Sequence, residues 1–516
     1  MFCRIKSYSM FGIKAVPVSV EVYASQGLPG FTLVGLPDNA VRESRERVVS
    51  AVRSIGKVVT GFRTTVNLSP ADIRKDAPPL DLAIAVGLLS ACGEIDAKDI
   101  EKYVFLGELS LDGKVRPVKG VLPVARKICK DEIFVIPSAN VAEANIVEGL
   151  RYVCVDKLRD CIELLEGKTT APAVQTGNGI DRLFLTNDYP DFKDIPGLDG
   201  AKRALEVAAA GGHNFLLVGP PGSEKISLAR CIPGILPEMT EDEIIETSSI
   251  HSTVRSDGFS PVYKRPFRAP HHSASMVSLV GGGVRQLPGE AGLAHNGVLF
   301  LDELPEFNRC VLEALREPME EGRVSVTRAS GTVVWPARFM IGAAMNPCPC
   351  GYSIDPKREC TCLPEARKRY REKISGPLLD RIDIQVSVPP QDPKLFIGFT
   401  EAESSAIVRQ RVIGAREIQR KRFANSTIKT NSEIPTESVR MFAQMNEAAE
   451  NFAVSAAEKL GMGARSYNKM LRVARTVADL RGSESVDVQD ISEAMRYRLI
   501  SEDERYSVVS ENLERE

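Results

Sequence analysis

The chain has 516 residues, which is enough for about three domains of ~150 residues each. With 43% hydrophobic and 26% charged residues its composition is that of an ordinary globular protein, and the net charge of −2 excludes a chain that is basic throughout. No apolar run is long enough to span a bilayer and no signal-type core follows the N-terminus, so we expect a cytoplasmic protein with no membrane partner.

The segment 1–168 alternates short β-like runs with helical ones, which predicts an α+β domain. The predicted strands cover residues 13–24, 31–35, 64–68, 104–106 and 133–137, and the predicted helices cover 39–55 and 80–91. The second helix is almost wholly apolar, so we expect it to be buried. Residues 169–181 are mostly small or polar and are interrupted by proline and glycine, as is typical of a linker.

Residues 215–227 show a buried strand, a glycine-rich turn and the start of a helix, which is how a phosphate-binding loop is built. Gly219 and Lys225 keep the spacing of the pattern G-x-x-x-x-G-K-[ST]. Glu224 replaces the last glycine of that pattern, and Ile226 replaces the metal-binding hydroxyl. The candidate nucleotide-binding residues are Gly219, Pro220, Pro221, Gly222, Ser223, Glu224, Lys225, Ile226 and Ser227.

The two departures predict weak binding of ATP and Mg²⁺. Glu224 adds bulk and a negative charge beside an anion, and like charges ~4 Å apart cost ~4 kcal/mol at an effective dielectric constant of about 20. Ile226 cannot ligate Mg²⁺. Ser227 lies about 100° further round the helix, so we do not expect its hydroxyl to substitute.

Residues 297–307, Gly-Val-Leu-Phe-Leu-Asp-Glu-Leu-Pro-Glu-Phe, resemble a buried parallel strand that ends in two carboxylates. Asp302 is the candidate Mg²⁺ ligand, and Glu303 is the candidate base that orients and deprotonates a water. The alternative is a strand followed by a solvated turn. After a predicted helix over 309–321 and a hairpin over 324–335, a further strand over 339–344 leads to Asn346, which can position the water.

Four cysteines stand close together, as Cys348-Pro-Cys350 and Cys360-Thr-Cys362. Four thiolates at this spacing can surround one tetrahedral Zn²⁺. Redox-active thiols and a loop without metal are the alternatives. A closed four-sulfur site has no open position for catalysis, so its metal would be structural and would hold the loop that follows Asn346.

Two further segments have polar clusters. His271 and His272 lie in a proline-flanked loop with Arg265 and Arg268, and adjacent side chains of an extended segment point in opposite directions. This favours a loop that contacts nucleic acid or a neighbouring subunit over a metal pair. Residues 364–373 contain five basic residues, which form either a DNA-facing surface or a solvated helix face.

The remainder of the chain is predicted to be helical, over residues 401–423, 436–443, 447–460, 464–481 and 488–497. The charged residues 503–516 are expected to fray as a tail.

The order of these motifs is similar to that of AAA+ ATPases of the helix-2-insert group, which are related to magnesium chelatase and the MCM helicases. More specifically, the segments that begin at Arg265 (Arg-Pro-Phe-Arg-Ala-Pro-His-His-Ser-Ala-Ser) and at Gly289 (Gly-Glu-Ala-Gly-Leu-Ala-His-Asn-Gly) resemble the ComM/YifB family, over nearly the whole chain. The resemblance implies a multidomain α/β protein with an AAA+ parallel α/β domain at 182–396 and a C-terminal helical lid at 397–502. It also implies a homohexameric ring, and DNA as a partner, because competence-related members are described as ATP-driven branch-migration motors.

The same resemblance implies roles for single residues. Lys225 would be the Walker A lysine, Asp302 and Glu303 the Walker B pair, and Asn346 sensor 1. Arg381, in Leu379-Asp-Arg-Ile-Asp, looks like the arginine finger that reaches a neighbour's γ-phosphate. Arg465, in Gly463-Ala-Arg-Ser-Tyr, looks like sensor 2, which approaches the phosphates from the lid.

The N-terminal segment resembles the Lon-protease-type domain, whose fold is shared with a domain of a small-subunit ribosomal protein. The likeness rests on Asn67-Leu-Ser-Pro-Ala-Asp, Lys75-Asp-Ala-Pro-Pro-Leu-Asp-Leu and Leu106-Gly-Glu-Leu-Ser-Leu-Asp-Gly-Lys. Laid against the peptidase motifs, the nucleophile falls on Pro79 and the base on Leu122, neither of which can act. We therefore expect a platform that contacts substrate or caps the ring, and no peptidase.

Three functions follow from these expectations. The first is a hexameric AAA+ ATPase that acts on DNA. The second is a non-hydrolysing ring or DNA-binding subunit. This hypothesis is supported only by Glu224 and Ile226. The third, a chelatase-type motor, rests on ancestry alone.

Overall fold

The computed structural model describes residues 1–35, 38–57, 59, 61–70, 78–180, 189–254, 261–283, 286–328, 331–391 and 402–498, and omits the side chains of 38–42. The predicted tail, 503–516, and the start of the Lys75 motif lie outside the described residues. Three segments follow one another along the chain: a mixed sheet with helices, a parallel sheet with helices, and a helical segment. The predicted multidomain α/β fold is confirmed.

The N-terminal domain is built on one mixed sheet. Its strands are β1 (Phe2–Phe11), β2 (Lys14–Gln26), β3 (Gly30–Val34), β4 (Phe62–Ser69), β5 (Tyr103–Phe105), β6 (Glu108–Leu109), β7 (Val115–Arg116), β8 (Ile133–Pro137), β9 (Arg151–Val155) and β10 (Gln175–Thr176). Its helices are α1 (Asp38–Ser54), α2 (Asp81–Ala91), α3 (Val121–Ala125), α4 (Val141–Asn145) and α5 (Leu158–Glu166). Within the described residues, eight of these strands form the mixed sheet, in the order β10-β9-β8-β5-β1-β2-β4-β3, and β6 and β7 pair separately.

The long hairpin β1–β2 and helix α2 make the core of this domain. Alternate residues of β2 are buried, as expected for a strand with one covered face, and α2 is buried along almost its whole length. Gly87 allows the close approach, since a Cβ there would lie 2.8 Å from Val22. Strand β1 was missed in the sequence because its buried positions include Ser7 and Ser9, which weaken the alternation of apolar and polar residues.

The segment predicted as a linker contributes to this domain. Gln175–Thr176 forms the edge strand β10, which pairs antiparallel with β9. Pro79 lies in a 3-10 helix, and Leu122 is fully buried in α3. The two positions that a peptidase would use for catalysis therefore carry a ring without a hydroxyl and a core aliphatic side chain.

The central domain contains a parallel sheet and a set of small strands. The strands are β11 (Phe215–Val218), β12 (Phe267–Arg268), β13 (Gly281–Gly282), β14 (Leu287–Pro288), β15 (Val298–Leu301), β16 (Arg323–Arg328), β17 (Gly331–Pro336), β18 (Met340–Met345) and β19 (Ile384–Ser387). The helices are α6 (Asp199–Gly211), α7 (Lys225–Arg230), α8 (Ile232–Ile235), α9 (Glu241–Ser252), α10 (Met276–Val280), α11 (Glu290–Leu293), α12 (Arg309–Ala314), α13 (Arg316–Glu321), α14 (Pro364–Glu372) and α15 (Gly376–Leu379). The described strands of the parallel sheet lie in the order β12-β15-β18-β11-β19.

The single helix predicted over 309–321 is wrong in one respect, because the structure divides it at Leu315 into α12 and α13. Pro318 explains the break. A proline has no N–H to bond the carbonyl four residues earlier, at Ala314, and its ring clashes with that carbonyl.

The C-terminal segment is helical, as predicted. Its helices are α16 (Ser405–Arg422), α17 (Val439–Ala443), α18 (Glu447–Lys459), α19 (Ala464–Leu480) and α20 (Val488–Arg496). Helices α16 and α19 pack on α6 of the central domain. The buried imidazole of His213 joins the two parts, with Nδ1 3.0 Å from Asp383 and Nε2 2.8 Å from the Thr476 hydroxyl.

The N-terminal domain contacts the central domain through the tip of its first hairpin. A Cβ at Gly12 would lie 2.4 Å from Val333 of β17, and Phe11 lies against Gly331. The buried Trp335, the one tryptophan of the chain, belongs to the same apolar cluster. Among the helices that the structure describes, none combines the length and the apolar character needed to cross a membrane.

Candidate functional site

The predicted phosphate loop, the acidic pair and Asn346 meet at one edge of the parallel sheet. Strand β11 pairs in parallel with β18, with Val218 opposite Met345, and β18 pairs in parallel with β15. The N–H of Gly219 donates to the Met345 carbonyl at 3.2 Å. Because the carboxyl ends of parallel strands share an edge, the residues that follow these strands are brought together.

Lys225 is turned back into its own loop. Its Nζ donates to the carbonyls of Gly219 and Pro220, both at 2.8 Å, and contacts the Ser223 hydroxyl at 3.3 Å. Burial lowers the pKa of Lys225, while the charge of Asp302 opposes that shift. A buried ammonium whose main partners are neutral carbonyls is a suitable partner for an anion.

Glu224 adopts a left-handed backbone conformation, with φ at 58°, immediately before α7. Glycine reaches this region without penalty, whereas other residues lose about 1–2 kcal/mol. The Glu224 carboxylate accepts a hydrogen bond from the Ser227 hydroxyl at 2.5 Å. The loop therefore keeps the backbone geometry of a glycine at a position that a charged residue occupies.

Asp302 follows β15 directly and faces Lys225. Burial raises the pKa of Asp302 and the charge of Glu303 raises it further, whereas the N–H of Glu303 and the nearby Lys225 lower it. A desolvated carboxylate at this edge fits a Mg²⁺ ligand. The second ligand of the usual motif is absent, because Ile226 has no oxygen on its side chain and is 42% exposed.

Glu303 contacts a residue that the sequence did not connect with it. Its Oε2 lies 3.2 Å from Nδ1 of His272. The ring of His272 lies 4.0 Å from that of His271, between centroids, and 6.5 Å from that of Phe307. Adjacent side chains were expected to point apart, which is wrong here because the chain turns at His272 instead of remaining extended. Only the tertiary fold could reveal a contact between residues so distant in sequence.

The two arginines of the His271 loop are bonded within the chain. Arg265 donates to the carbonyls of Pro237 and Asn296 at 2.6 and 2.7 Å. Arg268 forms a two-point ion pair with Glu290, at 2.6 and 2.8 Å. These bonds therefore hold the chain in place just before β12, at Arg265, and at its last residue, Arg268.

A cleft of about 550 Å³ opens beside Glu303 and Asn346. Its lining residues are Glu303, Glu306, Asn346, Pro349, Ala366, Arg369, Tyr370 and Lys373. Helix α14, from the basic stretch, thus forms one wall. Lys373 pairs with Glu306 at 3.1 Å, and the buried Tyr370 hydroxyl bonds the backbone of Asn346. Burial raises the pKa of Tyr370 to about 12.

The sulfurs of the four clustered cysteines come together in the segment between Asn346 and α14. Cys348 lies 3.3 Å from Cys350 and 3.6 Å from Cys360, between sulfurs, and the N–H of Cys350 donates to the Cys362 sulfur at 3.3 Å. All four sulfurs lie within 4.8 Å of one another. A hydrogen bond from the Tyr352 backbone lowers the pKa of Cys350 to about 6, whereas burial raises the pKa of Cys360 to about 12.

Comparison with known proteins identifies the family. The family model for magnesium chelatase, subunit ChlI, matches residues 191–395, and related models match 20–140 and 402–498. The competence protein ComM of Haemophilus influenzae is 41% identical over 500 residues, which cover 96% of this chain and 97% of that protein. The chain belongs to the ComM/YifB family, a magnesium chelatase-like AAA+ family.

A second relative matches over a similar length, and a magnesium-chelatase subunit matches over a shorter one. YifB of Escherichia coli is 39% identical over 499 residues, which cover 96% of this chain and 97% of that protein. The magnesium-chelatase 67 kDa subunit of Chlorobaculum parvum is 29% identical over 168 residues, which cover 30% of this chain and 23% of that protein. The family resemblance drawn from the sequence motifs is therefore confirmed.

The two arginines assigned by ComM/YifB resemblance lie outside the phosphate loop. Arg381 forms an ion pair with Glu320 of α13 and donates to the Pro377 carbonyl at 2.6 Å. Arg465 pairs with Asp380 at 3.6 Å, and its side chain is 82% exposed. Within one chain, the structure thus brings Lys225 and Asp302 together and leaves Arg381 largely covered beside α13 and Arg465 exposed.

Proposed function

We propose that this ComM/YifB member is a homohexameric AAA+ motor that binds and hydrolyses ATP and acts on DNA. The supporting observation is the convergence of Lys225, Asp302 and Glu303 at the carboxyl edge of the parallel sheet, in a chain of this family. The proposal accounts for the buried Lys225 and the two adjacent carboxylates in one site, whereas a solvated turn does not require a lysine directed into its own loop.

Each residue has a distinct role in the proposed reaction. Lys225 leaves its carbonyl partners and binds the outer phosphates. Asp302 would hold Mg²⁺, which when bound neutralises charge on the phosphates. Glu303 accepts the proton of the water that attacks the γ-phosphorus, while Asn346 orients that water and the bond to the ADP oxygen breaks. Arg381 of an adjacent subunit stabilises the charge of the transition state.

A second candidate, a ring that does not hydrolyse ATP, is favoured by Glu224 and Ile226. Both remove something that the reaction needs: close phosphate approach at Glu224, and a metal ligand at Ile226. ATP affinity and turnover of the purified protein, beside the double variant Glu224→Gly, Ile226→Thr, separate the two candidates. Turnover comparable to that of the variant would exclude the inactive ring. If the wild-type protein does not bind ATP and the double variant does, the motor is excluded.

The DNA role is supported by the similarity to ComM, a competence protein, and by the basic side chains of α14. Binding of a branched DNA duplex, measured over a range of salt concentrations, tests it. Phosphate contacts through lysine and arginine release counterions, so affinity should fall steeply with salt. Binding that is absent, or that salt does not change, would remove DNA from the proposal.

We also propose Zn²⁺ as the resident ion of the cysteine cluster. Four cysteine sulfurs within 4.8 Å of one another match the preferred ligand set of structural zinc, and the N–H of Cys350 donates to the Cys362 sulfur. Metal analysis of the purified protein tests this, with one zinc per chain as the expected result. A protein that contains no metal and does not take up zinc would exclude it.

A further inference from the structure

The cysteine cluster lies between two elements that form the proposed nucleotide site. Cys348 is fully buried and lies two residues after Asn346. Asn346 directly follows strand β18 and lines the cleft. Cys362 lies two residues before α14, which forms the opposite wall. A bond from one ion to all four sulfurs would therefore hold both walls at a set distance.

The first cysteine loop also contacts the phosphate loop. Gly351, directly after Cys350, has φ at 87° and packs against Pro221. A Cβ at position 351 would lie 2.6 Å from Cδ of Pro221 and 4.0 Å from Cγ of Asn346. A residue with a Cβ would clash here, so a movement of the cluster is passed on to Pro221 by direct contact.

Helix α14 provides a second connection. The Arg367 side chain donates to the Cys362 carbonyl at 3.4 Å, and Tyr370 bonds the Asn346 backbone. Arg369 of the same helix and Lys373, directly after it, line the cleft beside Glu303. The position of these two cations thus depends on where the second cysteine pair holds the start of α14.

The sulfur geometry fits a metal better than disulfides. The distances of 3.3, 3.5 and 3.6 Å between sulfurs are far beyond the ~2.05 Å of a disulfide. They are close to the ~3.8 Å edge of a tetrahedron with metal–sulfur bonds of ~2.3 Å.

We propose that zinc in this cluster controls nucleotide binding, because the ion holds Gly351 against Pro221 and holds α14 at the cleft wall. The inference rests on the proposed binding of nucleotide at Lys225. Without the ion, the loops 348–351 and 360–363 lose their common anchor, and Pro221 and Asn346 lose the surface that supports them. The regulatory input to the site is therefore zinc occupancy.

The test uses the full-length protein and a fluorescent ATP analogue. Zinc is extracted with a thiol-reactive mercurial and chelator, the thiols are restored, and zinc is added back. We expect the analogue to bind at least tenfold more weakly after extraction and to recover on addition of zinc. Unchanged affinity in a folded protein that has lost its zinc would overturn the proposal.

Two variants separate coupling from unfolding. Gly351→Ala keeps all four cysteines but places a Cβ against Pro221, so it should retain zinc and still weaken nucleotide binding. The control Cys129→Ser, Cys310→Ser removes two exposed cysteines outside the cluster and should change neither zinc content nor affinity. A Gly351→Ala protein with full zinc content and unchanged affinity would contradict the contact mechanism.

The same measurements are made in the Glu224→Gly, Ile226→Thr background. If the wild type binds no nucleotide while this variant does, the ATPase proposal fails for the wild type. The effect of zinc on nucleotide affinity is then measured in the variant, where the same tenfold loss is expected. If zinc removal does not change the affinity of the variant, the proposed control by zinc is wrong.

Discussion

The carboxylate of Glu224 and the hydroxyl of Ser227 are joined by a 2.5 Å hydrogen bond at the start of α7. The hydroxyl of the residue that follows Ile226 is thus engaged by the residue that replaces the usual glycine. Glu224 therefore both changes the loop and occupies the Ser227 hydroxyl, a contact that the sequence does not show.

Glu224→Gly should increase both nucleotide affinity and stability. Removal of the left-handed strain should add about 1 kcal/mol to the free energy of unfolding, and removal of the charge should tighten binding by an order of magnitude or more. Binding of a fluorescent ATP analogue and urea denaturation measure the two effects. Glu224→Gln is the matched control, since it removes the charge and keeps the strain; if neither variant tightens binding, the charge argument is wrong.

Glu303→Gln should abolish turnover and leave nucleotide binding intact. Loss of a general base typically costs about 10²–10⁴-fold in rate, and a glutamine preserves the size and polarity of the side chain. Single-turnover hydrolysis and equilibrium binding are the measurements. Glu306→Gln, which changes a second acid of the same cleft, is the control and should reduce the rate by only a few-fold. Equal loss in both variants would contradict the assigned base.

His272→Ala should lower turnover on the order of tenfold, because it removes the side chain that holds Glu303 at 3.2 Å. The effect should be on kcat and not on KM, since His272 contacts the acid and not the phosphate loop. His271→Ala is the comparison, because His271 bonds the Ser273 hydroxyl at 2.8 Å. A rise in turnover in His272→Ala would show that the contact restrains Glu303 instead of positioning it.

Arg381→Ala should reduce turnover by about 10³-fold or more with little change in nucleotide affinity, as expected for a finger that acts only in the transition state. Arg323→Ala, which removes a nearby exposed arginine paired with Glu321, should have no such effect. Mixed rings give a further measurement: Lys225→Ala subunits keep Arg381 and Arg381→Ala subunits keep Lys225, so a mixture of these two inactive variants should regain turnover. No recovery in the mixture would argue against action between subunits.

Glu143 makes stability depend on pH in the N-terminal domain. Burial raises the pKa of this carboxyl from 4.5 to about 7, even though Leu122 and Asn140 donate hydrogen bonds to it. A raised pKa means that the folded state binds the proton more tightly, so the contribution is fully present below pH 4.5 and is lost as pH rises through 7. The loss should be on the order of 3 kcal/mol. Urea denaturation at several pH values measures it, and Glu143→Gln should remove this part of the slope.

Prediction from the sequence succeeded where chemistry and spacing are local. The β8 bounds were predicted to the residue, and the short apolar strands that precede Gly219 and Asp302 were found because four consecutive buried residues leave a clear signal. The predicted lid helices agree with the structure to within a few residues at most ends. Strand β1 and the break between α12 and α13 were missed, since the first has polar residues on its buried face and the second depends on one proline within a helical pattern.

The sequence by itself determined the family, the three-part architecture and the identity of Lys225, Asp302, Glu303 and the four cysteines as candidates, because each is a property of neighbouring residues along the chain. Only the tertiary structure decided which of them meet. It joined Glu303 to His272, Gly351 to Pro221 and Arg381 to Glu320, pairs that are separated by many residues and that periodicity cannot relate. Such contacts depend on how the sheet edge, the cysteine loop and α13 pack, and packing is a property of the whole fold.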